Sequence, residues 1–283
     1  MSNQRNGGGS SSAIDGAEKV AFRFAASHLA LIIGSLAIVL LAFALSSPIP
    51  QDPNYHAFAD GREFFGVANF WDVISNIPFL IVGAWGVVIV RRHSLLVCAP
   101  GLEIAYTVFF AGIWLTAFGS GYYHLAPGNE TLVWDRLPMT IGFAGLFAIV
   151  VGEYVSVRVA RKAIVLLLVL GISSVVYWAV TEARGAGDLR PYAVMQFLPL
   201  LLIPAILVMY RPAIGARKYY WVMLFFYLLA KVFEYLDAEV FAATGMLSGH
   251  TLKHVLASLT PATLLYALFV RRHTATLPDE PGS

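Results

Sequence analysis

The stretch FGSGYYHLAPGNETLVWDRLPM, residues 118–139, joins two runs of apolar residues, each long enough to cross a bilayer. It presents Ser120, then His124 one helical turn later, turns at Pro127–Gly128–Asn129, and enters the next apolar run at Asp135. A hydrocarbon core asks for about 20 consecutive apolar residues in helical form. Working outward with that ruler finds eight runs, at 22–45, 66–90, 102–123, 132–153, 163–181, 192–210, 218–240 and 249–270. Of the 283 residues, 58% are hydrophobic and 13% charged, whereas a soluble domain keeps its apolar share close to half. The fold class expected is all-α, a polytopic membrane helix bundle. The first run exceeds the ~7–15-residue core of a signal peptide and reads as a retained helix, although AFALSSPIP (residues 42–50) leaves cleavage open.

The basic residues alternate between the ends of these runs. Thirteen of the nineteen fall on one side, among them Arg91, Arg92, Arg158, Arg161, Lys162 and Arg271, and three on the other, Arg62, Arg184 and Arg190. Short basic loops stay cytosolic, so a multi-pass protein with both termini in the cytosol is expected. A net charge of +2 points to no nucleic-acid partner. Cys98, the single cysteine, excludes an internal disulfide and a cysteine-rich metal site. Residues 1–20, with GGGSSS, and 273–283 read as flexible cytosolic tails.

With that orientation, the polar groups inside the runs gather at one depth, toward the non-cytosolic leaflet. They are Asp72, Ser75 and Asn76; Ser120 and His124; Asp135; Lys231, Glu234 and Asp237; and His250 and His254. An ionisable group at bilayer depth costs at least ~2.5–3.5 kcal/mol on insertion scales, so each is a functional candidate. His250 and His254 stand at i and i+4 on one helix face, and His124 offers a third nitrogen. Three histidines with one open position form the donor set of a catalytic zinc. Each part has a plainer reading. A histidine at a helix end is commonly interfacial, Ser120 suits helix packing, and Asp135 suits a helix N-terminus. Their joint occurrence at one depth favours the metal site.

GSGYYH (119–124), WDRLPM (134–139) and GHTLKH (249–254), with FWDVISN (70–76), resemble the alkaline ceramidases. These are seven-helix intramembrane amide hydrolases, in a superfamily with the PAQR receptors and the GPI-remodelling lipid hydrolases. The resemblance covers residues 60–272 and leaves 21–47 as an additional N-terminal transmembrane helix. It implies that His124, His250 and His254 bind Zn2+, that Ser120 assists the developing oxyanion, and that Asp135 manages the proton of the attacking water. The implied activity is hydrolysis of ceramide or a related N-acyl membrane lipid to a fatty acid and a sphingoid base. The alternatives are a PAQR-type receptor, a lipid ester hydrolase of the same superfamily, a proton-coupled transporter and a b-type haem protein.

The family's calcium-binding acidic cluster is reproduced poorly. Asn69 stands where a glutamate is expected, and Asp60 and Glu63 have a different spacing. Lys253 is expected to snorkel to the interface. Glu234 and Asp237 read equally well as partners of the histidines or as a network with Lys231.

Overall fold

The computed structural model describes residues 29–212 and 217–276. The expected tail over 1–20, the start of the additional helix and residues 277–283 lie outside the described residues. The chain divides into two units, residues 1–47 and 48–283. In the first, α1 (Leu29–Leu45) is an apolar helix whose Ser35 hydroxyl donates back to the Leu31 carbonyl, 2.6 Å away. That internal bond satisfies the hydroxyl without water.

Among the described residues of the second unit, the regular structure is helical, with a 3-10 turn at Pro53–His56 and an isolated bridge between Phe64 and Val67. Its helices are α2 (Phe70–Ile74), α3 (Ile77–Val97), α4 (Glu103–Leu125), α5 (Asn129–Tyr154), α6 (Val157–Ala183), α7 (Arg190–Met209), α8 (Arg217–Tyr235), α9 (Asp237–Thr244) and α10 (Gly249–Thr276). Among the described residues, six helices are long and apolar enough to cross a membrane: α2–α3 taken together, α4, α5, α6, α7 and α10. By length and composition this is a multi-pass helical membrane protein. Two of the eight expected runs fall short of that measure. In α1 only 17 residues are described, and α8, though 19 residues long, carries Arg217, Lys218, Lys231 and Glu234. Residues 273–276, expected as tail, continue α10.

Two expected runs are broken, each beside the site. The run at 66–90 steps at Ser75–Asn76, where Pro78 in the first turn of α3 has no N–H to continue the ladder. The Ser75 hydroxyl and the Asn76 amide both donate to the Asp72 carbonyl (3.0 and 2.8 Å) and hold the step. The run at 218–240 stops at Tyr235, and Asp237 opens the short α9.

Helix α5 is the central element, with 67% of its most apolar window buried, packed on α4, α6 and α7. Its buried face is rich in small residues (Gly142, Ala144, Gly145, Ala148 and Gly152), which let membrane helices approach closely. Gly112 of α4 lies against the Gly142 backbone, and Gly145 of α5 against that of Phe109. Nearer the site, Pro138 interrupts α5, and its missing N–H leaves the carbonyl of Trp134 without its helical donor. The Cα of Gly119 packs on that carbonyl, so α4 and α5 meet most tightly beside Ser120 and Asp135. A side chain at 119 would strike backbone. Gly119→Val is expected to destabilise the folded protein by about 1–3 kcal/mol, the usual cost of overpacking, read from unfolding in detergent. Gly121→Ala, with nothing within 4 Å of the added carbon, is expected to change little.

At the far end of α5, Glu153 is buried and fully engaged. It accepts from the Tyr106 hydroxyl, from Tyr220 at 2.8 Å, and pairs with Arg271 at 2.8 Å. Arg271 also donates to the Tyr106 oxygen (2.7 Å) and the Val97 carbonyl (3.2 Å). This clamp joins α4, α5, α8 and α10, and its charges are tolerated in an apolar bundle because they are paired and hydrogen-bonded. Outward, Val165, Leu166, Val169 and Leu170 of α6 are exposed, a contiguous apolar face suited to lipid.

Candidate metal centre

The last turn of α4 and the first turns of α10 bring three imidazoles together. His124, His250 and His254 are buried, their ring centroids are 4.8–4.9 Å apart, and their ligand nitrogens lie within 4.8 Å of one another. Among the described residues this is the one group of three or more histidine, cysteine or acidic side chains gathered closely enough to hold a metal ion.

The surroundings orient the donors. Ser75 gives its single proton to the Asp72 carbonyl and lies 2.8 Å from His254 Nδ1. Its oxygen must therefore accept from Nδ1–H, which leaves the His254 Nε2 lone pair free. The Asn69 amide donates to the His124 carbonyl at 2.8 Å and fixes the end of α4. His124 Nδ1 is buried without a hydrogen-bond partner.

The N-terminus of α10 has N–H groups without helical partners, and the side chains of Asp237 and of the adjoining Ser248 supply acceptors. Asp237 Oδ1 accepts from the His250 N–H (2.7 Å) and Oδ2 from the Ala59 N–H (2.9 Å). The Ser248 hydroxyl accepts from the Thr251 N–H at 3.0 Å, while the Thr251 hydroxyl donates to Asp72 Oδ1 at 2.6 Å. One carboxylate thus ties a ligand-bearing helix to the loop over it. That loop carries Phe58, whose ring centroid is 4.7 Å from His124 and 4.5 Å from His250, covering the cluster. His56 anchors the same loop to the Tyr123 hydroxyl and to Asn129 Oδ1, both at 2.9 Å.

Ser120 and Asp135, also buried, interact through their side chains across the α4–α5 contact. Ser120 and His254 open onto an apolar cavity of about 160 Å³ between α4, α5, α7, α8 and α10, lined by Phe109, Phe143, Leu200 and Met223 among others. On its wall Gln196 donates to the Tyr227 hydroxyl at 3.0 Å. All five sequence-identified site residues therefore lie in one region, three as a cluster and two as the adjoining pair.

Three other expectations change or separate. Lys253 does not run to the interface. It is turned into the protein, 2.9 Å from Glu234 Oε1 and 3.4 Å from His250 Nε2, because a carboxylate one helix away offers compensation that an apolar route outward does not. Glu234 also pairs with Lys231 through Oε2, whereas Asp237 serves His250, so the two acids have different partners. Asp60 and Glu63 do not converge. Asp60 sits in the fork of Arg62 (2.7 Å from both Nε and Nη2), and Arg62 Nη2 also donates to the Met246 carbonyl at 2.5 Å. Hydrogen bonding to Arg62 holds the Asp60 carboxyl below its ordinary value despite its burial. Glu63 is exposed.

Compared with known proteins, the chain matches no protein-family model, and no curated protein matches it. The site is therefore read from its own geometry.

Proposed function

We propose that this protein is a zinc-dependent intramembrane amidase that hydrolyses ceramide or a related N-acyl lipid to a fatty acid and an amine such as a sphingoid base. The observation that carries the reading is the cluster of three buried imidazoles, one of which, His254, opens with Ser120 of the Ser120–Asp135 pair onto an apolar cavity. The donors suit zinc. They are three neutral-type nitrogens, with His254 Nε2 left free by Ser75 and His124 Nδ1 unpartnered, and a set of three histidines keeps one position open. When bound, zinc supplies Lewis acidity that polarises a carbonyl and makes water nucleophilic at neutral pH.

The chain's own residues do the rest. Asp135 accepts the proton of the attacking water and returns it to the leaving nitrogen as the C–N bond breaks. Ser120 donates toward the carbonyl oxygen as negative charge develops there, a role worth ~2.7–4 kcal/mol for one positioned donor. Phe58 excludes bulk water from the histidines, and the cavity receives the acyl chain. The basic-loop pattern supports both termini in the cytosol and the site toward the opposite leaflet, with α1 and α8 completing eight passes.

The direct test is hydrolysis by purified protein. It should carry about one zinc per chain and release fatty acid from ceramide, lose that activity on chelation, and regain it with zinc. Full activity after thorough chelation, or cleavage of ester analogues alone, would defeat the amidase assignment. Ser75→Ala is expected to weaken zinc binding by about 10–100-fold, as loss of a ligand-orienting partner does, measured by chelator competition.

A further inference from the structure

The cavity onto which Ser120 and His254 open is lined by a single charged side chain, Lys253. It sits between two metal-ligand candidates in the chain, with its ammonium 3.4 Å from His250 Nε2. A buried ammonium needs compensation, and here it is shared. The two oxygens of Glu234 are divided, Oε1 to Lys253 and Oε2 to Lys231, so one carboxylate serves two cations. Asp135 and Asp72 lie within electrostatic range of it, but only Glu234 reaches ion-pair distance. Of the three N–H donors on Lys253, Glu234 takes one. Donors on a charged group therefore remain on the wall where the polar end of a substrate would sit.

We infer that Lys253 selects substrates whose polar end carries a carboxylate, making the preferred substrates N-acyl amino acids rather than neutral N-acyl amino alcohols. This rests on the amidase reading for the reaction but not for the binding. The cavity takes the acyl chain, the amide lies at the histidines, and the carboxylate of the amine portion pairs with Lys253. A neutral hydroxyl in its place gains an ordinary hydrogen bond only. A charge-assisted hydrogen bond exceeds a neutral one by enough to predict about a tenfold preference.

The test separates binding from hydrolysis. Two ethers without a cleavable amide, hexadecyloxyacetate and 2-hexadecyloxyethanol, are titrated into the full-length purified protein in detergent. The expected result is at least tenfold tighter binding of the carboxylate. The ratio should fall about tenfold in Lys253→Met and in Lys253→Gln, which keeps a donor but no charge, and persist in Lys253→Arg. Because any bound zinc attracts carboxylates in every variant, it is the change in ratio that reports on Lys253. Equal affinities in the unaltered protein, or a ratio unchanged in both neutral variants, would overturn the inference. N-palmitoylglycine and N-palmitoylethanolamine are assayed in parallel for fatty-acid release. Hydrolysis of neither, together with no release of fatty acid from ceramide, defeats the amidase reading, while the ether ratio still decides the role of Lys253.

Discussion

Replacing His250 by alanine is expected to remove zinc from the protein and with it the hydrolysis of N-acyl lipids. His250 contributes one of three nitrogens gathered within 4.8 Å, and no other histidine, cysteine or acidic side chain among the described residues joins that cluster to replace it. Zinc content should fall from about one per chain to less than about a tenth, and fatty-acid release by at least about 10³-fold, since both nucleophile generation and carbonyl polarisation depend on the ion. A metal that binds only the folded chain stabilises it by about 2.7 kcal/mol at a hundredfold excess over its dissociation constant. Chelation should therefore lower the unfolding temperature of the unaltered protein and leave that of His250→Ala where it is. An active variant with full zinc content would contradict the assignment. A variant that loses activity but keeps zinc would move His250 out of the ligand set.

Asp135→Asn should behave differently. The substitution keeps the shape of the side chain and a partner for Ser120 but removes the proton acceptor. Zinc should stay bound while kcat falls by about 10²–10⁴-fold, the range for positioned acid–base groups. Loss of zinc in this variant would make Asp135 a ligand instead, and unchanged kcat would dismiss it from the reaction. The position of Asp135 follows from the local fold: Pro138 frees the Trp134 carbonyl, Gly119 packs on it, and the side chains one residue on from each contact, Ser120 and Asp135, come to face each other.

The parts of this arrangement that sequence could reveal are those governed by helical period. Ser120 with His124, and His250 with His254, recur at four residues, so each pair had to share a helix face. The apolar runs between them set the bundle. What spacing could not reveal depends on contacts between distant segments. Phe58 lies in a short loop with no period, and only the folded chain sets its ring against His124 and His250. Asp237 looked like part of a charged turn of one long helix, yet the break after Tyr235 turns it to cap the helix bearing His250. Lys253 followed the rule for a long cationic side chain near a membrane surface until Glu234, on another helix, proved the nearer partner. Glu153 ended an apolar run and gave no sign that Tyr106, Tyr220 and Arg271 would close around it. In each case the deciding partner is remote in the chain.

The most direct measurement is X-ray absorption at the zinc edge on the purified protein. Three imidazole nitrogens at about 2.0–2.1 Å with a fourth, lighter-atom ligand, reduced to fewer imidazoles in His124→Ala, is the outcome expected from the cluster at the ends of α4 and α10. A zinc shell without histidine, or a protein that takes up no zinc at all, would contradict it.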